Sequence, residues 1–64
     1  MSIGAKLKAR RELLELSQLQ LSKMSGIQQS VISRIETEER FNPTLKTLYR
    51  LAAALRITVS ELTR

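Results

Sequence analysis

The sequence predicts an all-α domain of five short helices closed around a small aliphatic core. Three observations carry that expectation. Apolar residues recur at three- and four-residue spacings, whereas β-branched residues are scattered and no alternating run lasts beyond a few positions. Helix-start chemistry repeats: Ser17 with Gln20, and Thr58 with Glu61, stand three apart beside apolar residues. Gly4 and Gly26 are the only glycines and Pro43 the only proline, so no flexible linker divides the 64 residues, and a chain of this length allows one domain.

The first helix begins near Ser2 and puts Ile3, Leu7 and Leu14 on one stripe. Ser17 opens the second through a capping box. Its hydroxyl takes an orphan backbone N–H while Gln20 reaches back to the Ser17 backbone. This helix runs from about Gln18 to Ser25 and closes at Gly26, because a left-handed residue there costs glycine no steric penalty. A third helix, about Gln28 to Glu36, follows at once. The polar stretch from Thr37 to Pro43 leads to a fourth, which starts at Pro43 and Thr44 and carries Leu45, Leu48, Leu51, Ala52 and Leu55. Thr58 and Glu61 open a last turn with Val59 and Leu62. Phe41 and Tyr49 are the only aromatics, too few to build the core.

Composition narrows the chemistry. Eleven Lys and Arg against six acidic residues leave a net charge of +5, which points to an acidic partner. Cysteine, histidine and aspartate are absent. Disulfides, thiolate metal sites and cysteine nucleophiles are excluded, and the commonest general base and metal ligand is missing. Acid–base chemistry would rest on isolated Glu residues, so neither an enzyme, a metal site nor a cofactor is expected. No apolar run approaches the roughly 20 residues of a membrane span. The start alternates apolar residues with Lys and Arg, unlike a signal peptide, and no helix joins a Trp or Phe face to a basic one. The expectation is a cytoplasmic protein that does not bind membranes.

Two helices of about two turns joined at a single glycine describe a helix-turn-helix over about residues 17–36. On a wheel at about 100° per residue, the third helix puts Gln29, Ser33, Thr37, Ser30 and Arg34 on one face and Val31, Ile35 and Ile32 on the other. The polar face holds no carboxylate. A merely solvated face usually mixes Glu and Lys, which pair at i,i+4. Gln and Arg instead suit bidentate contacts to adenine and guanine edges, and Ser or Thr donates or accepts at base or phosphate. Gln29, Ser30, Ser33 and Arg34 are therefore expected to read bases, Gln29 and Arg34 most strongly.

The chain at this point resembles the phage-repressor type of helix-turn-helix, the lambda repressor and Cro (XRE) family. The resemblance rests on Gly4, Leu7, Arg11, Leu16-Ser17-Gln18, Leu21, Gly26-Ile27, Ser30 and Ile32-Ser33-Arg34-Ile35-Glu36. It resumes at Asn42-Pro43-Thr44-Leu45 and continues through Leu48, Leu51-Ala52, Ala54-Leu55, Ile57 and Leu62. No single tripeptide is specific; the ordered set at this spacing is. It implies a compact five-helix domain that binds double-stranded DNA sequence-specifically, most often as a repressor, with two copies on a palindromic site. The resemblance implies phosphate contacts from Ser17 and Gln18 at the start of the second helix, where free N–H groups suit an anion. Arg40, Asn42 and Lys46 would clamp the backbone near the fourth helix without specifying sequence, and Thr37 joins this phosphate-facing set. Gln28 stands where the family usually caps; Gln caps poorly, so it is either a contact to a base or phosphate or a tolerated weak cap. Arg11 and Glu36 would face one another as a structural ion pair. A dimer contact is expected at Tyr49, Ile57, Val59 and Leu62.

Several residues depart from the family pattern. Ser22 and Ser25 replace Ala and a larger apolar residue, so the junction should pack less tightly, costing about 1 kcal/mol or more if Ser25 is buried without a partner. Glu38 and Glu39 fall where relatives carry Gly and a basic residue, and the loop to Pro43 is one residue longer. Either this loop tilts away from phosphates or affinity is tempered. Two functional readings follow. The leading one is a DNA-binding transcriptional regulator, a homodimer at least on DNA. The alternative is an antitoxin-like or fused module that chiefly binds a protein partner, which an exposed apolar patch around Leu19 and Met24 would favour.

Overall fold

Each helix expected from the spacing forms. Among residues 2–64, which the computed structural model describes, the elements are α1 (Ile3–Leu13), α2 (Gln18–Ser25), α3 (Gln29–Thr37), α4 (Leu45–Ala54) and α5 (Val59–Thr63), with no strand. Four of the five start on a hydroxyl cap. Ser2 accepts from the Ala5 N–H, Ser17 from Gln20, Thr44 from Thr47 and Thr58 from Glu61. Both capping boxes close reciprocally, with the Ser17 N–H donating to Gln20 Oε1 and the Thr58 N–H to Glu61 Oε2, each at 2.8 Å. Caps of this kind stabilise by about 1 kcal/mol each. The exception is α3, whose N-cap Gln28 makes no side-chain cap bond. That helix begins and ends one residue later than the spacing suggested.

Helix ends hold a feature that composition hides. Gly26 closes α2 at φ 75°, as expected. Glu15 (φ 57°) and Arg56 (φ 60°) take the same left-handed conformation after α1 and α4. At each, two bonds close the helix: Leu16 N–H to Arg11 O and Glu15 N–H to Glu12 O after α1, Ile57 N–H to Ala52 O and Arg56 N–H to Ala53 O after α4. These Schellman turns hold side chains where about 1–2 kcal/mol of strain is the rule for a residue with a Cβ.

The core joins Leu7, Leu21, Ile32, Ile35, Leu48, Leu51, Ala52, Leu55 and Leu62. It is assembled from α1 lying against α3 and α5, α2 against α3 and α4, and α4 against α5. Three expectations need correction. Leu14 is exposed, because α1 stops at Leu13 and the turn into Glu15 swings Leu14 off the stripe. Leu45 is 59% exposed, sitting in the first turn of α4 roughly a quarter-turn from the buried Leu48–Leu51–Leu55 stripe. Leu62 is 1% exposed and belongs to the core, so it is not available as a dimer contact.

Gly4 lies where α1 crosses the end of α3. A Cβ there would overlap the Ile35 carbonyl oxygen and stand 3.1 Å from its carbon and 3.2 Å from the Glu36 Cα. Only glycine allows this approach. The serines at the helix-turn-helix junction also find partners. Ser22 Oγ donates to the Ile27 carbonyl at 2.5 Å, and the Ile27 N–H donates to Ser25 Oγ at 3.2 Å. The expected penalty of an unpartnered Ser25 is therefore avoided: the two hydroxyls tie the residue that follows Gly26.

Candidate nucleic-acid interface

The helix-turn-helix is locked at its rear before it presents anything at its front. Arg11, on α1, donates from Nε to Glu36 Oε2 at 2.8 Å and from Nη2 to Oε1 at 3.0 Å. Its Nη1 donates to the Leu16 carbonyl at 2.7 Å. Glu36 also accepts from Gln18 Nε2 at 3.1 Å. The Glu36 side chain is 2% exposed, so one buried carboxylate ties α1, the first residue of α2 and the end of α3. Glu36 raises the Arg11 pKa, chiefly by accepting its hydrogen bond and further by charge, against the lowering effect of burial. The ion pair expected between these residues is present. Gln18 enters it as a third member, so its amide is directed inward, and its backbone N–H is the group left at the helix start.

With the rear fixed, α3 turns its polar face outward. Ile32 and Ile35 are buried and Val31 packs against the core, while Gln28, Gln29, Ser30, Arg34 and Thr37 are exposed and Ser33 is half-buried. The wheel thus describes the helix as it sits. Among the described residues the Gln28, Gln29 and Ser30 side chains make no hydrogen bond, whereas Thr37 Oγ1 donates to the Ser33 carbonyl at 2.7 Å. Arg34 is already engaged within the protein. Its Nε donates to Glu38 Oε2 at 2.9 Å, and its guanidinium carbon lies 4.2 Å from the centre of the Phe41 ring. The i,i+4 spacing of Arg34 and Glu38 could have announced this pair from sequence. Nothing in the spacing announced Phe41, which returns across a loop.

The residues expected at phosphates flank that face. Ser17 Oγ accepts the Gln20 N–H, and its hydroxyl hydrogen is not used in that bond. Arg40, Asn42 and Lys46 are exposed on the loop after α3 and the start of α4. Glu39 is exposed beside Arg40. Arg10 is better placed than ordinary surface charge: its Nε donates to the Leu55 carbonyl at 3.2 Å, capping α4. Arg50, unremarked in the sequence, comes within 3.4 Å of where a Gly26 Cβ would stand, beside the helix-turn-helix junction.

Leu19 and Met24 are 49% and 55% exposed. Five residues apart on α2, they point about 140° away from each other. Tyr49 is 60% exposed and Ile57 and Val59 are partly buried. Among the described residues no helix is long and apolar enough to cross a membrane.

A helix-turn-helix family model matches residues 7–62. The chain is 39% identical over 62 residues to the immunity repressor protein of Bacillus phage phi105, covering 97% of this chain and 42% of that protein. It is 46% identical over 50 residues to an HTH-type transcriptional regulator of Haemophilus influenzae, covering 78% and 50% respectively. The chain thus spans about half the length of these curated relatives. In structure it is similar to the restriction-modification controller protein C.AhdI from Aeromonas hydrophila, with a TM-score of 0.86, 33% identity, and coverage of 94% of this chain and 89% of that one. Fold, site geometry and these likenesses agree: the chain belongs to the helix-turn-helix family, in its phage-repressor (XRE) form.

Proposed function

We propose that the chain is the sequence-specific DNA-binding domain of a transcriptional regulator, most simply a repressor, reading the major groove with α3. The observation that carries this reading is the outward face of α3. Gln28, Gln29, Ser30 and Arg34 stand exposed on a helix whose opposite side is built into the core. That side-chain set matches the donor and acceptor patterns of base edges, and the names of the relatives, an immunity repressor and a transcriptional regulator, support it. Binding rather than catalysis is the role of such a face. A regulator of this kind works where the DNA is, and we assign it to the cytoplasm.

Base contacts come from Gln28, Gln29, Ser30, Ser33 and Arg34. Phosphate contacts come from Ser17, Gln18, Thr37, Arg40, Asn42 and Lys46, with Gln18 acting through its backbone N–H. One recognition helix covers roughly half a turn of groove, so we assign a dimer on a palindromic site, its half-sites about 34 Å apart. The domain is 23 Å across its longest axis, so copies at that spacing leave a gap of about 11 Å or more for edge side chains to span. Tyr49, Ile57 and Val59 supply this contact.

A protein-partner role draws support from the exposure of Leu19 and Met24, but their divergence around α2 leaves them no common face. Selection of bound duplexes from a random pool tests the proposal. It predicts an inverted repeat with half-sites one helical turn apart; a pool that gains no consensus contradicts it.

A further inference from the structure

Arg34 is the only cation on the outward face of α3, and it already has a partner. Its Nε and Nη2 lie 2.9 Å and 3.5 Å from the two carboxylate oxygens of Glu38. The guanidinium stacks over Phe41, which is itself packed against the core. The backbone closes the same unit: the Glu38 N–H donates to the Arg34 carbonyl at 2.8 Å, and the Phe41 N–H to the Glu38 carbonyl at 2.9 Å. Three side chains thus converge on one closed stretch of chain, and two of them hold the third.

We propose that Glu38 is a positioning residue for DNA readout, which fixes Arg34 end-on to the groove and restrains it from phosphates. The inference rests on the reading of Arg34 as a base-contacting residue. A guanidinium held along its Nε–Nη2 flank keeps its other edge, Nη1 with the remaining Nη2 hydrogen, which is the edge that meets guanine O6 and N7. Phe41 fixes the plane of the group by stacking beneath it. Both ion-pair partners are about half exposed, with side chains 54% and 52% accessible, so the pair adds little to folding. Its consequence lies in binding. Attraction to random duplex is a matter of cations near phosphates, and a carboxylate on Arg34 subtracts from it at every sequence. A correctly placed guanine offers two acceptors to the edge left open, so the gain there is kept. Glu38 therefore widens the gap between selected and random DNA rather than raising affinity.

The test is equilibrium binding of the full chain to a selected duplex and a random duplex across a salt series, by fluorescence anisotropy. Four variants are compared: Glu38→Gln, Glu39→Gln, Arg34→Ala and the Arg34→Ala/Glu38→Gln double. Glu38→Gln is expected to tighten random-duplex binding and steepen its log K against log salt slope by about one. The selected-to-random ratio should fall by about fivefold or more. Glu39→Gln removes the same charge next door and should leave that ratio unchanged, as should adding Glu38→Gln to Arg34→Ala. If Glu39→Gln lowers the ratio equally, or if Glu38→Gln acts just as strongly without Arg34, the positioning role is overturned while Arg34 keeps its own. If Arg34→Ala leaves the ratio intact, the base-reading role of Arg34 fails and that of Glu38 falls with it.

Discussion

Replacing Glu36 by Gln changes one oxygen for an NH2 and almost no volume, yet it should be among the most damaging substitutions in the chain. The Glu36 carboxylate accepts from Arg11 Nε, Arg11 Nη2 and Gln18 Nε2 at 2.8–3.1 Å, with its side chain 2% exposed. Gln offers one acceptor oxygen and turns two hydrogens toward groups that are themselves donors. Arg11, buried against α3, would keep the Leu16 carbonyl and at most one bond to the remaining amide oxygen, with its charge no longer neutralised. Breaking a buried pair while leaving its charge in place costs about 3–5 kcal/mol. A 64-residue domain has only about 3–10 kcal/mol in total. We expect a loss of about 3 kcal/mol, which at roughly 4–8 °C per kcal/mol for this size lowers the melting temperature by about 12–24 °C. Far-UV circular dichroism melts and urea titrations measure it, the urea slope staying constant if only stability changes. Arg11→Met combined with Glu36→Leu should regain most of the loss, since a buried pair replaced whole by apolar groups is often neutral. A Glu36→Gln melt within about 2 °C of the parent would refute the reasoning, because an ion pair that counts for so little could not be anchoring α3.

Other outcomes follow from the same geometry. Gly4→Ala forces a Cβ onto the Ile35 carbonyl and should destabilise by about 3 kcal/mol, the upper end of overpacking, in urea titration. Glu15→Gly and Arg56→Gly each relieve left-handed strain at φ 57° and 60°. Glycine's extra chain entropy offsets part of that relief, leaving a gain of about 0.5 kcal/mol each, additive in a thermal melt. Arg34→Ala should cost about 1–3 kcal/mol on the selected duplex and relax preference at one base pair, read by repeating the selection. Lys46→Ala should weaken all duplexes alike and reduce the salt slope by about one.

Much of this fold is legible in the chain because its punctuation is local. Ser17 with Gln20, Thr58 with Glu61, and Gly26 act within four residues of themselves, so their identity announces their role. Periodicity sets the phase of a helix but not its last residue or what covers it. Leu14 shares the spacing of Leu7 yet falls past the end of α1; Leu45 shares that of Leu48 yet lies at the edge of α4. Leu62 shows the converse, a residue at the chain's end drawn into the core by its place on α5. The left-handed turns at Glu15 and Arg56 were hidden because neither residue is one that favours the conformation. At the site, the polar face of α3 could be read from its wheel. That Gln18 turns inward to Glu36, and that Arg34 is clamped between Glu38 and Phe41, depends on contacts across 18 residues in one case and a loop in the other.

The claim that α3 reads sequence is tested most directly by one ratio. It is the affinity for the selected duplex over that for a duplex of the same composition with the half-sites scrambled, measured at moderate salt. Specific helix-turn-helix binding predicts a preference of about a thousandfold or more, lost in the combined Gln29→Ala and Arg34→Ala variant while that variant keeps its fold. Equal affinity for the two duplexes, falling in parallel as salt rises, would leave only charge attraction and contradict the account.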